Sequence, residues 1–520
     1  MLHLHGWSSV FTSYAFSALG VLFGLINGRA PLARIFAFPL WTIPILLAAA
    51  LIFNVIQAIV PLHPSESLIN VLGLGFCTLF GAAAGRVLAA RPSDSNHKRG
   101  TILDATFDRV SRSIRDGSGG PHLTLAGFPV EPVDETKHFK MIGTTGTGKS
   151  TAVRELLVGA LERGDRAVIA DPDFSYVERF YDEDRGDVIL NPFDSRAARW
   201  NLFAEMTTPY DADQLARSLI ADTEGTERPW RNYARVFLTS VLRQLHRVKH
   251  DDVGELYRLL SVAPIDDLRD LLSDTPAGPY LTQDNDRFFS AVRAVANTHV
   301  AVLEPVALQT AASALAVRGW VRRAQGAEGG VLFLPYRANE IAALRSLIST
   351  WMRLAIFEAM SQREGDQHLW FVIDELDALG AIDGLKDALA RLRKFGGRCV
   401  LGFQSIAQVS GAYGHAEAQT IVENCGNTLI LRCSASENGG TARFASKLIG
   451  EREVIREQTT TSRGGRSLFA ADHRSVSTST HHVTESAVLP SEIEQLPDLQ
   501  GFLKFASQPE WKRVKLELPR

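Results

Sequence analysis

Phe139-Lys-Met-Ile-Gly-Thr-Thr-Gly-Thr-Gly-Lys-Ser-Thr151 decides the fold class of this 520-residue chain. Phe139–Ile142 reads as a strand, and the residues from Ser150 to Leu161 begin a helix. Between them Gly143, Thr144, Thr145, Gly146, Thr147, Gly148, Lys149 and Ser150 match the spacing GxxxxGK[ST], with Thr151 completing the candidate nucleotide-binding set. The residue types follow from the chemistry. Glycines let backbone N–H groups wrap phosphate oxygens, and the helix N-terminus adds partial positive charge. Lys149 would neutralise the terminal phosphates, and the Ser150 hydroxyl would ligate Mg²⁺.

A loop of this kind needs an acidic half. Leu369-Trp-Phe-Val-Ile-Asp374-Glu375 is an apolar strand ending in two carboxylates. Asp374 is placed to hold Mg²⁺ through water, and Glu375 to polarise an attacking water, which points to hydrolysis. Two more residues join the candidate catalytic set with Lys149 and Glu375. Gln404 closes the run Cys399–Phe403, where an amide senses a γ-phosphate, orients water, or only bonds a neighbouring loop. Arg393, in Arg391-Leu-Arg-Lys-Phe-Gly-Gly397, follows an amphipathic helix and is read onto the same side of the sheet. From the residues alone it reads first as an exposed helical arginine, and second as one that reaches a neighbouring subunit's nucleotide.

Around these motifs run short apolar stretches: Arg166–Asp171, Asp187–Phe193, Val331–Tyr336, Arg398–Gln404 and Asn427–Cys433. Helical patterns such as Ala152–Arg163 and Ile341–Ser361 lie between several of them. Continuous apolar strands alternating with helices predict an α/β fold with a mostly parallel sheet covered on both faces. From Glu205 to Gly326 strand signals thin out, while Asp213–Ala221, Tyr233–His246, Phe288–Ala301 and Val306–Arg323 read as helices. The expected organisation is therefore a nucleotide-binding domain in two parts, 91–204 with the phosphate loop and 328–520 with the acidic strand. An all-helical insertion, 205–327, separates them. Gln458–Thr484, rich in Ser and Thr, reads as an exposed hairpin or loop.

Charge divides the chain differently. Residues 1–90 hold only Arg29, Arg34, Glu66 and Arg86, and the rest carry 52 basic against 57 acidic side chains. That acidic bulk excludes a generally basic nucleic-acid binder; any such contact must be a local patch. Four scattered cysteines without a CxxC pair argue against a disulfide scaffold or zinc module. Ile35–Val60 and Leu68–Gly85 are free of charged side chains and approach or exceed the roughly 20 residues that span a bilayer. With Arg29 and Arg34 before the first and Arg86 and Arg91 after the second, a membrane hairpin is expected over residues 1–90. Its turn at 61–67 lies outside and the large C-terminal part is cytoplasmic. Trp7–Asn27 is a weaker third stretch whose crossing stays open, and Arg91–Gly100 reads as a polar linker.

Taken together, these residues resemble the TraD-type conjugative coupling proteins of type IV secretion systems. The likeness covers nearly the whole chain. It is carried by Glu135-Thr-Lys-His-Phe139 before the phosphate loop, Asp187-Val-Ile-Leu-Asn-Pro-Phe-Asp194 followed by Trp200-Asn201, Asp374-Glu-Leu, Arg393 to Ser405, and Pro490-Ser-Glu-Ile-Glu-Gln-Leu-Pro497. It implies a RecA-like P-loop ATPase that binds ATP and Mg²⁺, is anchored in the bacterial inner membrane by several passes, and assembles as a homohexamer. It implies as partners a relaxase within its relaxosome, single-stranded DNA and the channel proteins of the secretion system. Arg393 falls at the family's proposed trans-acting arginine finger and Gln404 at its motif glutamine. The chain departs from larger relatives in ending at Arg520 without a long acidic or Gln-rich tail. Two other readings compete. An FtsK-type DNA pump should carry a C-terminal DNA-reading module, for which no separate domain fits after Leu489. A docking hub that binds ATP with little motor work would not need Glu375 beside Asp374.

Overall fold

The apolar runs read from the sequence become the centre of a ten-stranded sheet. The computed structural model describes residues 6–27, 35, 38–59, 66–89, 96–104, 123–222, 225–311, 313–323, 330–363, 368–436, 439–463 and 474–518. They fall into two units, residues 1–98 with 453–483, and residues 99–452 with 484–520.

In the larger unit the strands of the main sheet are β1 (Ile102–Asp104), β2 (Phe139–Ile142), β3 (Arg166–Pro172), β4 (Val188–Ile189), β5 (Val331–Tyr336), β6 (Leu369–Ile373), β7 (Gly397–Phe403), β8 (Asn427–Ile430), β9 (Gln500–Lys504) and β10 (Glu510–Lys515). Their order is β1-β10-β9-β8-β2-β7-β6-β3-β5-β4. The seven from β8 to β4 are mutually parallel. Then β9 runs antiparallel to β8, β10 antiparallel to β9, and β1 parallel to β10. The parallel strands are uninterrupted apolar runs because both their faces are buried. Trp370 and Val372 face the core that includes Ala152, Leu156 and Leu157 of the helix Lys149–Glu162. Phe371 and Ile373 face the opposite core, shared with Leu347, Trp351 and Leu354 of the helix Ile341–Ala359.

Register sets the functional edge. Ile142 pairs with Phe403, and Ile373 pairs with both Leu401 and Ala170. The C-terminal ends of β2, β7, β6 and β3 therefore come level, and the residues that follow them share one edge of the sheet. The run Asp187–Phe193 delivers a strand only at Val188–Ile189. Beyond Leu190, Asn191 Oδ1 accepts from Phe193 N at 2.8 Å and turns the chain out of the sheet.

The helices Pro209–Leu219, Arg228–Arg247, Val253–Ser261, Ile265–Leu272, Asp286–Val300 and Leu303–Leu308 make up the insertion. At its base Arg199–Trp200 pairs in parallel with Ala314–Leu315, so the stretch Val306–Arg323 is two short helices broken by a strand. Glu205 is fully buried there. It accepts from Trp200 Nε1 at 2.9 Å, Val317 N at 2.6 Å and Arg318 N at 3.0 Å. Trp200 packs edge-to-face on Trp351, centroids 5.8 Å apart, joining insertion and sheet in one apolar core.

The smaller unit contains the helices Gly6–Asn27, Phe38–Ile59 and Glu66–Ala89. Among the described residues only Phe38–Ile56, with a mean hydropathy of 2.1, is long and apolar enough to cross a membrane. The second expected span, Leu68–Gly85, lies within the 24-residue helix Glu66–Ala89, where the described apolar stretch is Val71–Arg86. Its glycines set its packing. A Cβ on Gly81 would meet Ser17 O at 2.7 Å, and one on Gly85 would meet Val21 O at 2.4 Å, so these glycines let the first and third helices touch backbone to backbone. The linker is not wholly irregular: Asn96–Gly100 is a strand, in a sheet with Glu451–Arg463 and Arg474–Ser486. Those two strands form the expected hairpin, while its tip, 464–473, and residues 91–95 of the linker lie outside the described residues.

Candidate active site

Gly143 leaves β2 and turns at once, its amide donating to Phe403 O of β7 at 3.3 Å. A Cβ at Gly143 would sit 2.8 Å from Thr147 Oγ1, and Gly148 takes φ +116°, a left-handed conformation, with Leu499 2.8 Å from its absent Cβ. Only glycine satisfies both demands at that position. The loop is braced from outside: Thr144 N and Oγ1 both donate to Arg432 O, at 2.9 and 3.2 Å, and Leu499 N donates to Thr147 O at 2.9 Å. Thr145 and Gly146 are exposed at the tip, whereas Thr147 and Thr151 are buried.

Lys149 opens the helix and folds its ammonium back over the loop, donating to Gly143 O at 2.7 Å and Thr144 O at 3.2 Å. Burial lowers its pKa, against the opposing pull of the Asp374 and Glu375 carboxylates. Ser150 Oγ donates to Asp374 Oδ2 at 2.5 Å. Glu375 stands beside it, its pKa raised first by burial and then by the charges of Asp374 and Asp377. Gln404 closes the arrangement. Its Nε2 donates to Glu375 Oε1 at 3.1 Å, and its Oε1 accepts from Thr145 Oγ1 at 2.9 Å.

The site includes residues that the sequence reading passed over. Tyr176, fully buried, donates its hydroxyl to the same Asp374 Oδ2 at 2.9 Å. Asp171, at the edge end of β3, accepts from Tyr176 N and Val177 N, and thereby holds the turn that aims Tyr176. Burial raises the Asp171 pKa to about 6 despite those bonds, and the Asp374 charge adds to the rise. The signal was present in Asp171-Pro-Asp-Phe-Ser-Tyr176: another strand of the same sheet ending in a carboxylate, with an aromatic hydroxyl five residues on.

Arg393 is a correction. It lies exposed in the turn Arg393–Phe395, before β7 rather than after it. Six residue steps of β7, about 20 Å of strand, separate that end from the edge carrying Gln404. The sequence reading put both on one side; chain direction through β7 puts them at opposite ends of the sheet. Gly143–Thr151, Asp374, Glu375 and Gln404 come together, and Arg393 does not.

The donor set suits a hard cation. Asp374 Oδ1 is buried without a hydrogen-bond partner, and the Ser150 hydroxyl lies against the other carboxylate oxygen. Mg²⁺ is normally held by one or two protein oxygens together with waters and phosphates. No cluster of three or more His, Cys, Asp or Glu side chains exists among the described residues to make a different kind of metal site.

The profile of the type IV secretion-system coupling protein DNA-binding domain matches residues 122–517. This chain belongs to that family. It is 28% identical over 412 residues to the coupling protein TraD of Escherichia coli K12, covering 79% of this chain and 56% of TraD. It is 30% identical over 146 residues to the VirD4 coupling protein of Bartonella quintana, covering 27% of this chain and 21% of VirD4. The chain thus spans about half, or less, of the curated relatives it matches. Among solved coupling proteins, TrwB lacking its first 70 residues superposes with a TM-score of 0.71 at 31% identity, over 82% of this chain and 94% of that one. TrwB in complex with ADP and Mg²⁺ gives 0.69 at 30% identity, over 82% and 94%. The fold of this chain is accordingly the RecA-like nucleotide-binding fold with a mostly parallel sheet, and the apolar helix Phe38–Ile56 fits an N-terminal anchor.

Proposed function

We propose that this coupling protein is an ATP-hydrolysing motor. It would receive a relaxase–DNA complex and drive the single strand toward a type IV secretion channel in conjugation. Family membership and the nucleotide complexes of TrwB support the nucleotide. The observation that carries hydrolysis is the single amide of Gln404 joining Thr145 of the phosphate loop to Glu375. Gly143–Thr151 wrap the phosphates, and Lys149 swings from its two carbonyls onto the β/γ-phosphates. Ser150 and Asp374 would hold Mg²⁺, whose chemistry there would be charge neutralisation. Glu375, kept in reach by Gln404, accepts the proton of the attacking water, and its raised pKa brings it toward the working range of a general base.

The position of Arg393 supports a ring. A head-to-tail interface brings two different faces together and closes into a ring when the rotation permits. In such a ring the edge bearing Arg393 meets the neighbour's phosphate loop, and the homohexamer of the TraD-type resemblance has this character. The domain division 91–204, 205–327 and 328–520 belongs to the same reading. So does an inner-membrane anchor of several passes, with Arg29, Arg34, Arg86 and Arg91 on the cytoplasmic side.

The test mixes two inactive chains. Arg393→Ala should bind ATP normally and hydrolyse it on the order of 10³-fold more slowly, since fingers of this kind contribute 10³–10⁵ in rate. Lys149→Ala should lose nucleotide and transfer DNA no longer. Mixed rings should recover activity, because an Arg393→Ala subunit keeps an intact phosphate loop that a Lys149→Ala neighbour completes. Normal turnover by the Arg393→Ala homomer, or no recovery in verified mixed rings, would overturn the trans role.

A further inference from the structure

The turn that carries Arg393 is held from beneath by residues no functional reading has used. His138 is buried at the start of the segment that becomes β2, on a left-handed backbone with φ 57°. Its Nδ1 accepts from Cys399 N at 3.1 Å, so the proton sits on Nε2 and is donated to Leu389 O at 3.0 Å. One ring therefore ties the last turn of the helix Leu385–Leu392 to the first residues of β7, and Arg393 lies in the turn between them. A second tie runs through Arg398. Its Nη1 donates to Gly396 O at 2.5 Å and its Nε to Glu135 Oε2 at 2.8 Å. Glu135 is fixed in turn by two bonds from Arg163, at 2.8 and 2.9 Å. The turn itself admits no slack: Gly396 has φ +75°, and a Cβ on Gly397 would meet Leu392 Cγ at 2.5 Å.

An exposed arginine has several rotatable bonds, and a finger acts only if its backbone is fixed, because misplacement by about 1 Å can cost 10²-fold in rate. Burying a histidine and an arginine–glutamate pair costs desolvation that a solvent-exposed turn does not require. Here His138 and Arg398 each end on a backbone atom of the turn or of its flanks, and Glu135 holds Arg398.

We propose that His138 is a positioning residue for the Arg393 finger, with Arg398 and Glu135 as the second brace, so that the finger and the phosphate loop of one subunit are mounted at the two ends of the same strand, β2. This inference rests on the trans role of Arg393 argued above. Burial, joined by the charges of Arg393 and Arg398, holds the His138 pKa down at about 4 against the bond to Leu389, which keeps the ring neutral and its two bonds intact.

The experiment uses the full chain in lipid nanodiscs. Asn tolerates a left-handed backbone but cannot span both partners of His138. His138→Asn should lower kcat about 10- to 100-fold with KM for ATP little changed, since its own phosphate loop is untouched. Mixed with Lys149→Ala it should recover activity as the Arg393→Ala and Lys149→Ala pair does. Arg398→Lys, which keeps the charge beside Glu135 but not the fork to Gly396 O, should behave in the same way and carries the comparison should His138→Asn not fold. Recovery in the Arg393→Ala mixture but not in these mixtures would mean that the braces serve their own phosphate loop, and the proposal falls while the finger stands. No recovery in the Arg393→Ala mixture removes the finger and this proposal with it.

Discussion

Gln404 donates to Glu375 at 3.1 Å while accepting from Thr145 at 2.9 Å, so one carboxamide spans the gap between the acidic strand and the phosphate loop. It can do so because β7 lies between β2 and β6. A γ-phosphate bound at the loop would disturb the bond to Thr145, and Gln404 would transmit that change to Glu375.

Glu375→Gln keeps the acceptor for Gln404 and removes the carboxylate proposed as the base. ATP binding should stay within about twofold, and turnover should fall about 10²–10⁴-fold, the usual contribution of a positioned base. Single-turnover hydrolysis alongside equilibrium nucleotide binding checks this. Loss of affinity would make Glu375 a binding residue instead.

Gln404→Ala should slow hydrolysis while leaving ADP affinity unchanged, because the amide faces Thr145 and Glu375 rather than the loop backbone. Gln404→Glu should be worse than Ala, since it sets a second carboxylate beside Glu375. Steady-state kinetics of the pair decide it; equal rates for the two variants would count against the electrostatic part.

Tyr176→Phe removes one of two donors to a buried carboxylate. Stability should fall by about 1–2 kcal/mol, and the Mg²⁺ concentration needed for half-maximal ATPase activity should shift. A magnesium titration of activity, run beside thermal unfolding, separates the two effects. An unchanged magnesium midpoint would leave Tyr176 with a packing role alone.

Acid should loosen the brace under Arg393. His138 titrates at about 4 in the folded chain and near 6.5 unfolded, so the unfolded state binds more protons between these values and stability rises with pH there. The contribution, on the order of 3 kcal/mol, is fully present above pH 6.5 and is lost as pH falls through 4. Chemical unfolding of wild type and His138→Asn from pH 7 to 4.5 should converge, the variant lacking this part of the slope.

Glu205→Ala should detach the base of the helical insertion. Two backbone amides and the Trp200 indole lose their shared acceptor in a dry core, a cost of about 2–4 kcal/mol. Thermal unfolding should show it, and early protease cleavage within 209–308 would place the loosening in the insertion.

The sequence determined what rests on local chemistry. Glycines at forced positions, a lysine and serine opening a helix, and an apolar run ending in Asp374-Glu375 are legible because each meets a requirement of its immediate neighbours. The helical insertion was legible too, since helix periodicity is a local property, though Val306–Arg323 hid a strand that exists only by pairing with Arg199–Trp200. Membrane crossing was less so. Freedom from charge marked two spans, but the close approach of Gly81 and Gly85 to the first helix exists only in the folded packing. Only the tertiary structure decided strand order and direction, because parallel neighbours are chosen by long-range packing. That order puts Gln404 between the loop and Glu375, brings Tyr176 to Asp374 from 198 residues away, and sends Arg393 to the far edge, where His138 and Arg398 hold the turn that bears it.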